Sequence, residues 1–218
     1  MPEMISVSEA AQRLSVSRYR IYARLRDGSI RGRQSGRSWL VDSSSLPSPR
    51  RTRPMSADMA LALVLLFDNV QPEGLLGSEM SRLRAKGDLL SAAPADELIE
   101  RVRSWMAARA PIARVQVAPA DLEALREDNR LVPSGLSDPR ADMAAADVVE
   151  GYIARADLDD FADDHFIDLE AEHQRPNLVL RTLKTPPAPI PRLLSAADLI
   201  DHGGPRETQA ALRLLERA

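Results

Sequence analysis

Two hydrophobic periods follow one another in the first fifth of the chain. After Ser6-Val7-Ser8-Glu9, the residues Val7, Ala10, Ala11 and Leu14 recur at the spacing of one helical face. Ser6 and Glu9 make a capping box, hydroxyl and carboxylate each placed to satisfy an orphan backbone N–H. The pattern breaks at Leu14-Ser15-Val16, and Ser17 is a suitable N-cap for a second helix from Arg18 to about Asp27, closed by Gly28. Val16, Ile21 and Leu25 point back toward Ala11 and Leu14. The period then drops to two: Ile30-Arg31-Gly32-Arg33-Gln34, a turn at Ser35-Gly36-Arg37, and Ser38-Trp39-Leu40-Val41 predict a short β-hairpin.

From Ser43 to Pro54 the pattern gives way to SSSLPSPRRTRP, which reads as a linker. A second helical series begins at Met55-Ser56-Ala57-Asp58 and runs through Phe67, apolar nearly all round, as a central buried helix would be. Further helices are predicted at about 78–86 and 95–109, the latter placing Leu98, Ile99, Val102, Trp105 and Met106 on one stripe. Trp105 on such a stripe reads as core rather than as a binding residue. Beyond Pro111 strands and helices alternate. Strands are expected at Arg114–Val117, Val148–Ala154 and Asn177–Leu183, with helices at Ala120–Asn129 and Asp157 to about Phe166. The proline-rich TPPAPIP leads to two closing helices at about 195–201 and 205–217. The chain is therefore expected to be α+β: an N-terminal domain over 1–47, a linker at 48–54, and a larger domain over 55–218, helical to 110 and mixed beyond.

Charge sharpens this division. Residues 1–53 hold eleven arginines, no lysine and four acids, a net charge of +7, so the remainder carries −10 beneath a chain total of −3. A basic head on an acidic body is the electrostatic footprint of a nucleic-acid-binding protein. The second helix presents Arg18, Tyr19, Arg20, Tyr22, Arg24 and Arg26, and the guanidinium fork suits both phosphates and guanine edges. Two helices joined by a tight turn make a helix-turn-helix, and the hairpin with Arg33 and Arg37 near its tip is the wing of a winged helix. Residues 5–46 resemble the excisionase and MerR-type winged helix-turn-helix family, in lines such as ISVSEAAQRLSVSRYRIYARLRDGSI and GRSWLVD. That resemblance implies reading-helix contacts at Ser17, Arg18, Tyr19 and Tyr22 and wing contacts at Arg33, Gly36 and Arg37. No sustained heptad follows Leu46, so the resemblance to full-length MerR regulators ends at the linker. Arg50, Arg51 and Arg53 fit either an arm along DNA or a basic tether without ordered contacts.

The body offers little chemistry. It has no phosphate loop, no nucleophile elbow, no HExxH and no EF-hand loop, and its histidines, His165, His173 and His202, are too sparse for a metal site. No cofactor and no catalytic activity are expected. Cysteine is absent, the N-terminus shows no signal peptide, and the longest apolar run, Met59 to Phe67, is short of the roughly twenty residues that span a bilayer. A soluble cytoplasmic protein is expected. The acidic stretch Asp157, Asp159, Asp160, Asp163, Asp164, Asp168, Glu170, Glu172 reads either as a solvated face or as a mimic of nucleic acid or dock for a basic partner.

RPMSADMALALVLL, RVRSWMAARA, RLVPSGLSD and VVEGYIARADLDDF resemble actinobacterial proteins whose C-terminal part is similar to type IV (AbiEi-type) antitoxins, though those carry a different N-terminal winged helix. The resemblance implies an antitoxin that represses its own operon, bound to double-stranded operator DNA, beside a nucleotidyltransferase toxin. A homodimer would match a two-fold operator. The alternative is a transcription factor whose C-terminal domain senses a small ligand or a protein partner.

Overall fold

The computed structural model describes residues 4–14, 18–36, 38–46, 54–143, 145–171 and 173–216. The chain divides into two compact units, Met1–Thr52 and Arg53–Ala218.

In the first unit, strand β1 (Met4–Ser6) runs straight into helix α1 (Val7–Arg13), followed by α2 (Arg18–Arg26) and the hairpin β2 (Gly32–Ser35) and β3 (Ser38–Asp42). Strand β3 is central, antiparallel to both neighbours in the order β1-β3-β2. The β1 strand was not foreseen, because three residues carry no readable period. Ser6 ends that strand and caps α1, accepting the Glu9 N–H at 3.1 Å, while the Glu9 carboxylate accepts the Arg13 guanidinium at 2.9 Å. The core is Ile5, Val7, Ala10, Ala11, Ile21, Ile30 and Val41, with Leu14, Leu25, Trp39 and Leu46 packed against it.

Ser35 pairs with Ser38, so the hairpin loop is shorter than the expected three-residue turn. Its first strand begins at Gly32, two residues later than expected, because Ile30 is drawn into the core and its N–H reaches the Arg24 carbonyl at 3.3 Å. Ser43–Ser45, expected as linker, forms a 3-10 turn that belongs to this unit. Asp42 caps it by accepting from Ser44 at 2.9 Å, and the Ser45 hydroxyl accepts the Arg31 N–H at 2.8 Å.

The second unit begins with α3 (Ala57–Phe67), capped by Ser56, then α4 (Gly77–Ser91) and α5 (Ala95–Trp105). Helix α3 is buried at Ala60, Ala62, Leu63 and Val64 and only half-buried along the rest of its apolar run, so it lies at the side of its core. A four-stranded sheet follows in the order β4-β7-β6-β5, from β4 (Ile112–Val115), β5 (Val132–Pro133), β6 (Val149–Ala154) and β7 (Leu178–Leu183). Only β6 and β7 are parallel, connected through α7 (Leu158–Asp164); α6 (Leu122–Glu127) precedes β5, and α8 (Arg192–His202) and α9 (Pro205–Glu216) close the chain.

Strand β4 sits two residues upstream of its expected place. Its register against β7 ends at Val115, and both backbone groups of Val117 go instead to the Asn177 side-chain amide, at 2.8 and 2.9 Å. Strand β5, two residues long, was not foreseen. Helix α6 is shorter than its sequence pattern, with Pro119–Asp121 in a 3-10 turn before it and Asp128 extended after it.

Strands β6 and β7 are buried on both faces. On one face Val149, Ile153, Leu178 and Leu180 pack with Leu122, Leu125 and Phe161 of α6 and α7. On the other, Tyr152 and Leu183 join the core built from α3, α4, α5, α8 and α9. That second face also carries the charges of Glu150 and Arg181. No helix among the described residues is long and apolar enough to cross a membrane.

Candidate nucleic-acid interface

Helix α2 buries one residue completely, Ile21, and half-buries Leu25. Everything else on it that carries charge or an aromatic ring faces outward or lies at the margin. Arg18, Arg20 and Arg26 are exposed, Tyr19 is 77% and Tyr22 41% exposed, and Arg24 is half-buried. Tyr19, Tyr22 and Arg26 stand at i, i+3 and i+7, which aligns them as one stripe along the solvent side.

The placement of charge is not what helix stability alone selects. Arg24 and Arg26 in the last turn oppose the negative end of the helix dipole, an ordinary stabilising choice. Arg18 and Arg20 stand in the first turn, which holds no acid, so two cations meet the positive end. That arrangement gathers positive potential where backbone N–H groups also point outward, and an anion such as a DNA phosphate is its complement. The described acids of this unit have partners of their own, and Asp27 also feels the charge of Arg24. Glu9 holds Arg13, and hydrogen bonds from Ser29 and Ser44 keep the Asp27 and Asp42 carboxyls below their ordinary pKa. None of the three lies on α2.

Gly32 fixes the hairpin against this helix. A Cβ there would lie 2.5 Å from Leu25 Cδ2 and 2.6 Å from the Leu40 carbonyl oxygen, so only glycine permits the approach. All of β2 is exposed, Arg33 included, and Gly36 at the turn has φ +61° with open space around it. The structure thus brings Arg18, Tyr19, Arg20, Tyr22, Arg24 and Arg26 together on α2, and Arg33 and Gly36 together on the hairpin, within one small unit. The expected contacts at Ser17, Arg37, Arg50, Arg51 and Arg53 lie outside the described residues.

The second unit holds a cluster that sequence reading missed. Arg109, Glu150, Arg181 and Asp198 are all buried, as are Tyr152, Ser134 and Ser195. Asp198 Oδ1 accepts from Arg109 at 2.5 and 2.9 Å, from Tyr152 Oη at 3.0 Å, and faces Arg181 Nε at 3.2 Å, while its Oδ2 accepts from the Ser134 hydroxyl. Arg181 donates to Glu150 Oε1 at 2.6 Å and to Asp201 at 3.1 Å, and Arg109 also meets Asp201. Glu150 Oε2 accepts the Leu136 N–H and meets His202 Nε2, each at 2.9 Å. Burial works against the Glu150 charge, yet the His202 hydrogen bond and the Arg181 charge hold its pKa down to about 2; burial also works against the His202 cation, and Glu150 raises its pKa.

Among the described residues no buried side-chain nitrogen or oxygen lacks a partner, so every buried polar atom of the cluster is satisfied. It ties α8 to the sheet and to the 134–138 loop, a structural role. The other two histidines are likewise engaged, His165 with Asp128 at 2.9 Å and His173 with the Arg175 carbonyl at 3.1 Å.

Comparison with family models, with curated proteins and with solved structures finds no match for this chain.

Proposed function

We propose that the chain is a sequence-specific regulator of transcription that binds double-stranded DNA through its first unit, used as a winged helix-turn-helix. The single observation that carries this reading is the outward surface of α2, with arginines at the positive end of the helix and tyrosines in line with Arg26. Helix α2 supplies the base contacts and the β2–β3 hairpin the flanking contacts. The finer form of the proposal is that of an antitoxin repressing its own operon beside a nucleotidyltransferase toxin. It rests on the resemblance of the body to AbiEi-type antitoxins and on the acidity of that body.

A second reading, a regulator responsive to a small ligand, is favoured by one feature of the second unit. A cavity of about 670 Å³ is lined by Leu131, Leu136, Met143 and Val149, with Arg126, Asp142 and Glu150 among its polar groups. That volume is in the range of small-molecule sites.

Titrating the full chain against its own promoter and a scrambled duplex at two salt concentrations tests the proposal. Promoter-selective binding supports an autorepressor, and neutralisation of the neighbouring gene product then tests the antitoxin role. Equal and strongly salt-dependent binding to both duplexes removes autorepression and favours the ligand-responsive reading. Absence of binding to either at low salt ends the DNA reading altogether.

A further inference from the structure

Three locally unfavourable choices meet within four residues at the end of α7. The last turn of that helix holds Asp163 and Asp164 and no cation, against the preference of the dipole. Phe166 follows with φ +53°, in the left-handed region. Its N–H donates to the Asp163 carbonyl at 3.2 Å and the Ile167 N–H to the Ala162 carbonyl at 2.8 Å, the pair of bonds that closes a helix through a left-handed residue. Glycine or asparagine usually fills that position. Third, the phenyl ring is 97% exposed, the most exposed large hydrophobic side chain among the described residues.

The frame behind the ring is well tied down. Ile167 is buried in the core that contains Phe161 and Ala162. Arg130 pairs with Asp164 at 2.9 Å and lies over the Phe161 ring, and His165 is held by Asp128. Folding gains nothing from a ring at 166, and a chain that breaks local rules without a folding return does so at functional positions. Along the same stretch of chain Asp159 and Asp160 in the first turn of α7, Asp163 in its last turn, and Asp168 and Glu170 just beyond Phe166 are all exposed.

We propose that Phe166 and these carboxylates form a docking surface for a basic protein partner, the ring seated in an apolar slot and the acids met by lysine or arginine. The charge decides the occupant, since DNA and a second copy of the same face are both repelled. An aromatic anchor within a charged rim is the usual anatomy of a protein interface. The proposal draws only on the second unit, so its failure leaves the DNA reading untouched.

The test places the photocrosslinker p-benzoylphenylalanine at position 166 of the full chain in its native host, with the same group at exposed Val70 as control. The expected result is one dominant adduct with a basic protein, absent from the Val70 control. Its yield should fall at least tenfold in the Asp163→Lys/Asp168→Lys variant. No adduct, an adduct with a second copy or an acidic protein, or a yield indifferent to charge reversal would overturn the proposal. A second measurement guards the premise: Phe166→Gly should raise the melting temperature by a few degrees. A fall would show that the ring supports the fold, and the proposal would go with it.

Discussion

Gly32 and Gly36 stand four residues apart in the same hairpin and are glycine for different reasons. At Gly32 an added Cβ would meet a backbone carbonyl and the Leu25 side chain; at Gly36 it would meet nothing, and only the positive φ resists it. Gly32→Ala should therefore cost about 2–3 kcal/mol as overpacking, and Gly36→Ala about 1 kcal/mol as backbone strain. Amide exchange at Ile5, Ile21 and Val41, buried in the core of this unit, would measure the difference; equal losses would contradict the close approach. The outward residues of α2 behave in the opposite sense. Arg18→Ala combined with Tyr22→Ala should reduce operator affinity about 100-fold or more, while the melting temperature stays nearly unchanged because both side chains are exposed. Intact operator binding in that variant would remove α2 as the reading helix.

At the level of elements, α8 depends on charges that it buries. Removing one member of a buried, hydrogen-bonded ion cluster leaves the others uncompensated, so Asp198→Ala should cost about 3–5 kcal/mol. The pH dependence has two limbs. Glu150 titrates near 2 in the folded chain, below its ordinary 4.5, so its contribution is present above that ordinary value and is lost as pH falls from about 5 toward 2. His202 is shifted upward from 6.5, so its share is complete below 6.5 and is lost as pH rises through the folded value. The melting temperature should be highest between these limits. His202→Gln keeps a donor to Glu150 and should flatten the alkaline limb, while losing the positive charge beside Glu150 also shrinks the acid limb; an unchanged alkaline decline would mean that another group causes it.

The same elements show what the sequence made legible. Helices α3, α5, α8 and α9 and strands β6 and β7 were visible because long periodic runs carry their own signal. β1 and β5 were not, since two or three residues cannot display a period and are strands only through their partners Val41 and Tyr152. The surface of α2 was readable because its residues are neighbours in the chain. The buried cluster was hidden because Arg109, Glu150, Arg181 and Asp198 are distant in sequence. Its only trace was a charge inside each of the apolar runs VVEGYIA, LVLRTL and AADLI.

The whole molecule is two units of opposite charge and unequal means of support. The first has a core of seven buried apolar residues among those described and a net charge of +6; the second has two large clusters and −9. A unit of about fifty residues buries little surface and is marginal by itself. A fragment ending at Arg53 should fold with a lower melting temperature than the full chain and still bind promoter DNA. Each phosphate contact steepens the salt dependence by roughly 0.9 log–log units. An acidic body adds no such contacts, so fragment and full chain should share one salt slope. Where the body supplies a dimer, the full chain gains affinity through a second half-site, most at low salt, and its slope doubles with the doubled contact count. Equal slopes with equal affinity therefore mark a monomeric regulator, and a doubled slope with tighter binding marks a dimeric one. A fragment that protects the amides of Ile5, Ile21 and Val41 from exchange yet shows no affinity at low salt would refute DNA binding by this unit.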